Sequence, residues 1–232
     1  DSSTSRGLGD VYKRQVFNRT TETDLTEDQL PQVDIYKYKQ VIFVGDSRTE
    51  FMENVLTGMG ESATKNVKFV CSAGKGLDWF TTTGWAQLYS IVQHDSNSIL
   101  SKKTAVIFNF GVNDLSKSAD YAEYYNWIAP QLKSKGCELY FMSVNPVNRL
   151  MLPNAGRADR SEAAVRSFNQ YMKANLSSAY TYIDMYSYLK STGYSFASDH
   201  YGTGTVDDGL HYTTRTYKRI FAKCMDSLRV PA

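Results

Sequence analysis

The sequence predicts an α/β protein, a three-layer α/β/α sandwich on a five-stranded parallel sheet of order 2-1-3-4-5. Three observations predict it. From residue 37 onward, short apolar runs rich in β-branched and aromatic residues alternate with longer amphipathic stretches, the sequence form of successive βαβ units. The chain has 232 residues, enough to bury about 70% of its unfolded surface around one core. It is 42% hydrophobic and 22% charged, an ordinary globular balance.

The strands are expected at 40–44, 67–71, 105–110, 138–144 and 180–184, each a short run such as Val41-Ile42-Phe43-Val44 or Val106-Ile107-Phe108. Helices are expected near 48–58, 85–100, 118–135, 160–177 and 213–228. In the fourth of these Ala164, Phe168, Tyr171 and Met172 recur at helical spacing and read as a core stripe. Ahead of the sheet the chain changes character. Residues 1–15 are polar, rich in Gly and Ser and without periodicity. Their end, Asp10-Val11-Tyr12-Lys13-Arg14-Gln15, resembles a translated sequencing-adapter end and is set aside as an artefact. Residues 16–36, rich in Thr, Asp and Glu, read as a linker or N-terminal arm, and 37–232 as the domain. With the natural start expected to be missing, a spacer of this kind favours an extracytoplasmic or cell-surface location.

Charge and cysteine content narrow the function classes. Lys+Arg 26 against Asp+Glu 24 leaves a net charge of +2, with no basic run to suit nucleic acid. No stretch approaches 18 consecutive apolar residues, so the sequence shows no membrane span. Cys71, Cys137 and Cys224 are odd in number, far apart and without a metal-ligand spacing. They read as free thiols packed as small hydrophobes, and neither a disulfide framework nor a zinc site is expected.

In a sheet of this order, ligands bind beyond the carboxyl ends of the strands, at the switch between the first and third. There lie Gly45-Asp46-Ser47 and Gly111-Val112-Asn113-Asp114. Ser47, at a turn opening a helix, is either a helix cap or a nucleophile backed by free N–H groups. A serine nucleophile needs a base. Of three histidines, His94 falls in a predicted helix and reads as a surface group, and His200 sits in a loop as a weak rival. His211 has Asp208 three residues before it; on one turn the carboxylate would orient the imidazole, although an ordinary polar turn reads the same. Asn113 offers an amide donor or a helix cap. Gly74, in Ser72-Ala73-Gly74-Lys75-Gly76, offers a close backbone N–H or a simple turn.

The four blocks Gly45-Asp46-Ser47, Gly74, Gly111-Val112-Asn113-Asp114 and Asp208-Gly209-Leu210-His211, in this order across 37–228, resemble those of the SGNH hydrolases, the GDSL-like esterase family. The resemblance implies Ser47 as nucleophile, His211 as base, Asp208 as its orienter, and Ser47, Gly74 and Asn113 as oxyanion donors. Arg48 departs from the leucine that names the family, and Ser72 stands where the second block often has Asn. The implied activity is acyl-enzyme hydrolysis of a small-molecule or glycan ester, needing no metal or organic cofactor, with short acyl groups such as acetyl on a carbohydrate or cell-wall glycan favoured. Arg48, Lys75, Asp78 and Trp79 are candidate substrate contacts. Alternatives are a lysophospholipase or thioesterase, a noncatalytic glycan-binding module on the same scaffold, and a flavodoxin-like nucleotide or signalling domain. The last lacks both a phosphate-cradling glycine loop and an acidic receiver pocket.

Overall fold

The computed structural model describes residues 24–34, 37–95, 103–152, 160–198 and 207–228. Its main sheet contains β1 (Tyr38–Gly45), β2 (Val67–Cys71), β3 (Lys103–Asn109), β4 (Cys137–Met142) and β5 (Tyr180–Ile183). All neighbouring pairs are parallel and the order is β2-β1-β3-β4-β5. The larger helices are α1 (Ser47–Met59), α2 (Trp85–Asp95), α3 (Ser118–Ser134), α4 (Glu162–Asn175), α5 (Met185–Thr192) and α6 (Thr214–Ser227). An antiparallel pair, β6 (Phe196–Ser198) and β7 (Asp207–Tyr212), completes the set. The fold is the expected α/β sandwich.

Successive strand residues serve opposite faces. Ile42, Val44, Val106, Phe108 and Phe141 point into a core with Leu88 of α2, Tyr125 of α3 and Phe168 of α4. Val41, Phe43, Ala105, Ile107 and Met142 point the other way, onto Met52 of α1, Leu189 of α5 and Phe221 of α6. Both faces of the central strands are therefore dry, which is why their sequences run apolar without alternating. Emptying one such position, as in Phe108→Ala, costs about 3 to 5 kcal/mol.

Several elements differ from expectation. The helix expected from residue 85 continues a helical path that starts at Leu77, through Leu77–Trp79 and a π-helical turn, Phe80–Gly84. Thr81-Thr82-Thr83-Gly84 hides that path, being poor in helix formers. Gly84 is needed there: a Cβ would lie 2.7 Å from Trp79 Cζ3 and 2.8 Å from Phe80 Cδ2. The short α5 and the β6–β7 pair carry too few apolar repeats to stand out. In α4 the buried stripe is Val165, Phe168, Asn169 and Met172, whereas Tyr171 is exposed, one step beyond the stripe. Within the arm, Leu30 and Val33 are buried and Lys218 Nζ donates to the Leu25 carbonyl at 2.8 Å, so residues 24–34 lie against the domain. Cys71, Cys137 and Cys224 form no disulfide. No helix among the described residues is long and apolar enough to cross a membrane.

Candidate active site

Register places three strand ends side by side. Gly45 at the end of β1 pairs with Cys71 of β2 on one side and Asn109 of β3 on the other. The segments leaving these residues are the first three blocks read from the sequence, so the parallel sheet delivers them to one edge.

Asp46 caps α1, its carboxylate accepting from the Arg48 N–H at 3.0 Å while its carbonyl accepts from Thr49 and Glu50. The cap role open to Ser47 therefore belongs to its neighbour. Ser47 is the first helical residue, 3% exposed, at the electropositive helix end. Its N–H is not among those that Asp46 takes up.

Asp208 and His211 lie on β7 rather than on the turn expected. In a regular strand residues three apart face opposite sides. Gly209 removes that obstacle by adopting a φ of +70°, in the region that favours glycine. Between the paired positions Phe196↔Tyr212 and Ser198↔Asp207, β6 advances two residues and β7 five, so the chain bulges at the pair. The Asp208 side chain fastens the bulge: Oδ1 accepts from the N–H groups of Leu210 and His211, each at 2.7 Å. A Cβ on Gly209 would lie 2.5 Å from the Asn148 carbonyl oxygen and 2.8 Å from Met151 Cβ.

The result is a buried hydrogen-bonded chain. His211 Nε2 is 2.8 Å from Ser47 Oγ and Nδ1 is 2.6 Å from Asp208 Oδ2. Burial works to raise the Asp208 pKa, but the bonds and charge of the His211 ring and the two backbone N–H groups outweigh it and hold the carboxyl below its ordinary value. An ionised carboxylate only accepts. Nδ1 therefore carries the proton and donates to Asp208, leaving the Nε2 lone pair for the Ser47 hydroxyl proton. Phe51 packs edge-on against the imidazole at 4.5 Å between centroids.

The second and third blocks are stitched to each other and to the first. The Ser72 N–H donates to the Gly45 carbonyl at 3.3 Å. Asn113 Nδ2 donates to the Lys75 carbonyl at 2.7 Å, and Asp114 accepts from the Leu77 N–H at 2.9 Å and Tyr121 Oη at 2.8 Å. Gly76 has no room for a Cβ beside the Asp114 carboxylate, and Gly74 turns with a φ of +70°. The cap of the short helical turn Leu115–Lys117 is Asp114, so Asn113 does not serve as a cap there.

A match to the family model described as GDSL-like Lipase/Acylhydrolase extends over residues 41–224. The chain belongs to the GDSL-like lipase/acylhydrolase family. It is accordingly a carboxylic ester hydrolase. A protein of Slackia heliotrinireducens classed with the SGNH hydrolases superposes with a TM-score of 0.56 at 13% identity, covering 83% of this chain and 100% of that one. An acetyl xylan esterase, AlAXEase, gives 0.53 at 11%, covering 82% and 100%, and TesA gives 0.50 at 15%, covering 82% and 98%. At such identities the likeness is one of fold. No curated protein matches.

In this acylhydrolase the expected substrate contacts divide. Arg48 is a correction: only 2% exposed, it donates from Nε to the Leu210 carbonyl at 2.9 Å and from Nη1 and Nη2 to the Asn145 and Pro146 carbonyls at 2.8 Å each. Its guanidinium also lies over the Tyr212 ring. It is spent inside the protein, because a planar fork can satisfy three converging carbonyls that Leu could not. Lys75 is exposed; Asp78 is exposed and paired with Lys117 at 2.9 Å; Trp79 is half-buried, its ring 6.1 Å from that of Phe110. His94 falls in α2, and His200 lies outside the described residues. Arg160 escaped the sequence reading altogether: it donates from Nε to the Val112 carbonyl at 2.5 Å and from Nη2 to Asn113 Oδ1 at 2.9 Å. No motif announces it, since its partners lie nearly fifty residues earlier.

Proposed function

We propose that this acylhydrolase is a serine esterase working through an acyl-enzyme, with Ser47 as nucleophile, His211 as general base and Asp208 as its orienting carboxylate. The observation that carries the reading is the continuous buried path Ser47 Oγ–His211 Nε2 and His211 Nδ1–Asp208 Oδ2, at 2.8 and 2.6 Å. As Ser47 Oγ attacks the ester carbonyl, its proton passes to Nε2, and Asp208 stabilises the imidazolium. The oxyanion is met by the Ser47 N–H at the helix end, the Gly74 N–H and the second Nδ2 hydrogen of Asn113. The imidazolium protonates the leaving alcohol. His211 then draws a proton from water as that water attacks the acyl carbonyl, and the imidazolium returns the proton to Ser47 Oγ as the Oγ–acyl bond breaks and the acid leaves.

The favoured substrate is a short acyl ester, such as acetyl, on a carbohydrate or cell-wall glycan. A cavity of about 480 Å³ beside Asn113, in which Ser116, Arg149, Arg160 and Ser161 share the wall with the apolar Val112, Leu115 and Ala164, supports it. Lys75, whose carbonyl accepts from Asn113 Nδ2, and Asp78 stand exposed as further candidate contacts. A groove of about 610 Å³ along α1, with Phe51, Val55, Met59 and Tyr217 in its wall, favours a second reading, a lysophospholipase or thioesterase type of acyl hydrolase.

The test is labelling with a fluorophosphonate, read as intact mass, beside turnover of p-nitrophenyl esters of increasing chain length. A single adduct on wild type and none on Ser47→Ala is expected, with acetate turned over faster than octanoate. Undiminished labelling of Ser47→Ala would refute the nucleophile, and preference for octanoate would transfer the substrate reading to the longer acyl chains.

A further inference from the structure

We propose that Arg160 is a positioning residue for ester hydrolysis, fixing the side-chain amide of Asn113 so that its nitrogen rather than its oxygen faces the oxyanion. The inference rests on the reading of Asn113 as an oxyanion donor.

The two ends of a primary amide are nearly the same size, so packing alone scarcely distinguishes a side chain from its flipped form. A flip here would reverse the chemistry, presenting a carbonyl lone pair to the growing negative charge. Hydrogen bonding must therefore decide, and two contacts do so from opposite ends. The Lys75 carbonyl can only accept, and it receives Nδ2 at 2.7 Å. The Arg160 guanidinium can only donate, and its Nη2 reaches Oδ1 at 2.9 Å. Flipping would set oxygen against oxygen and N–H against N–H at the same time. With the two contacts satisfied, one Nδ2 hydrogen is engaged and the other remains to donate.

Arg160 is itself held. Its Nε donates to the Val112 carbonyl at 2.5 Å, so one planar fork spans two consecutive residues and fixes the amide relative to its own backbone. The next residue, Ser161, caps α4 by accepting from the Ala164 N–H at 3.0 Å, and α4 is anchored on the core through Phe168. Gly111, just before the clasped pair, has a φ of +126° and would place a Cβ 2.5 Å from Phe168 Cζ. The loop after β3 thus sits directly on the helix that carries its clamp. The guanidinium charge also draws electron density toward Oδ1, which strengthens Nδ2–H as a donor.

The experiment is a double-mutant cycle on p-nitrophenyl acetate with Asn113→Ala, Arg160→Gln and the pair, with thermal unfolding recorded for each. Asn113→Ala is expected to lower kcat about 100-fold. Arg160→Gln should lower kcat about tenfold with KM nearly unchanged, and should cost nothing further in the Asn113→Ala background. In Arg160→Ala, low concentrations of guanidinium should restore part of the lost kcat in the Asn113 protein and none in its absence. Full kcat in Arg160→Gln, or the same loss with and without Asn113, overturns the positioning role while leaving Asn113 as a donor. Full kcat in Asn113→Ala overturns the donor reading itself. Should Arg160→Gln unfold, Arg160→Lys, which keeps the charge without the fork, must show the same dependence on Asn113 or the proposal fails.

Discussion

Arg48 Nε donates to the carbonyl oxygen of Leu210 across 2.9 Å, so the residue following Ser47 grips the residue preceding His211. The two segments lie more than 160 residues apart and meet only through tertiary structure. The remaining guanidinium nitrogens hold the Asn145 and Pro146 carbonyls beyond β4. One buried cation thereby sets the relative position of α1, β7 and the segment after β4, and with it the separation of the serine hydroxyl from the imidazole.

Arg48→Lys should be poorly tolerated. An ammonium can reach one or two of the three carbonyls, and those left are buried without a donor. The expected loss of unfolding free energy is about 2 to 4 kcal/mol, measured in urea, with a fall in kcat larger than any change in KM. Stability within about 0.5 kcal/mol of wild type would mean that the three bonds contribute no more than an ordinary surface contact.

Gly209→Ala tests the bulge. Its backbone lies at a φ of +70° and the added methyl would lie 2.5 Å from the Asn148 carbonyl oxygen. Relaxing either conflict moves Asp208 away from His211. Loss of more than 100-fold in kcat and a lowered unfolding midpoint are expected. Wild-type turnover would show that the pair does not depend on the left-handed glycine.

These two residues also mark how far the sequence could be read. The main strands were legible because Val41 to Val44 or Ala105 to Phe108 are apolar at every step, and nothing but burial on two faces uses such runs. That the segments carrying Ser47 and Asn113 leave the same edge of the sheet followed from strand order alone. Asp208 and His211 were legible as a pair but not in conformation, because a three-residue spacing fits a turn and a bulged strand equally well. Arg48 read as a substrate contact since its burial depends on three carbonyls that only the fold brings together. Arg160 was invisible for the same reason, and the helical start at Leu77 was masked by three threonines.

Asp208→Asn separates orientation from packing. The ionised carboxylate keeps the proton on His211 Nδ1, whereas an amide can donate to that nitrogen and move the proton to Nε2, where it blocks acceptance from Ser47. A kcat lower by about 10³- to 10⁴-fold is expected with the fold retained. Because the Asp208 pKa is lowered on folding, its ionised form adds stability above the unfolded carboxyl value. That part is lost as pH falls through the folded one. The stability gap between wild type and Asp208→Asn should thus narrow in acid, as urea titrations across pH would show; a gap constant with pH would contradict the depressed value.

Asp46→Asn probes the opposite case. Burial, reinforced by the Asp114 carboxylate and only partly offset by the Arg48 N–H and guanidinium and by the Arg160 charge, pushes this carboxyl up to about 6. A raised carboxyl binds its proton more tightly in the native chain than in the unfolded one. Between the ordinary carboxyl value and about 6 the native state holds the extra proton, so stability declines as pH rises through that window, and above it the decline is complete. Asn caps a helix as well as Asp, and its side-chain oxygen can still accept from the Arg48 N–H, so the substitution removes the buried charge and little else. Relative to wild type, Asp46→Asn should gain up to about 3 kcal/mol between about pH 4 and about pH 8, read from urea unfolding at each pH. A difference that stays flat across that range would show Asp46 to be ionised throughout, its charge fully compensated by Arg48.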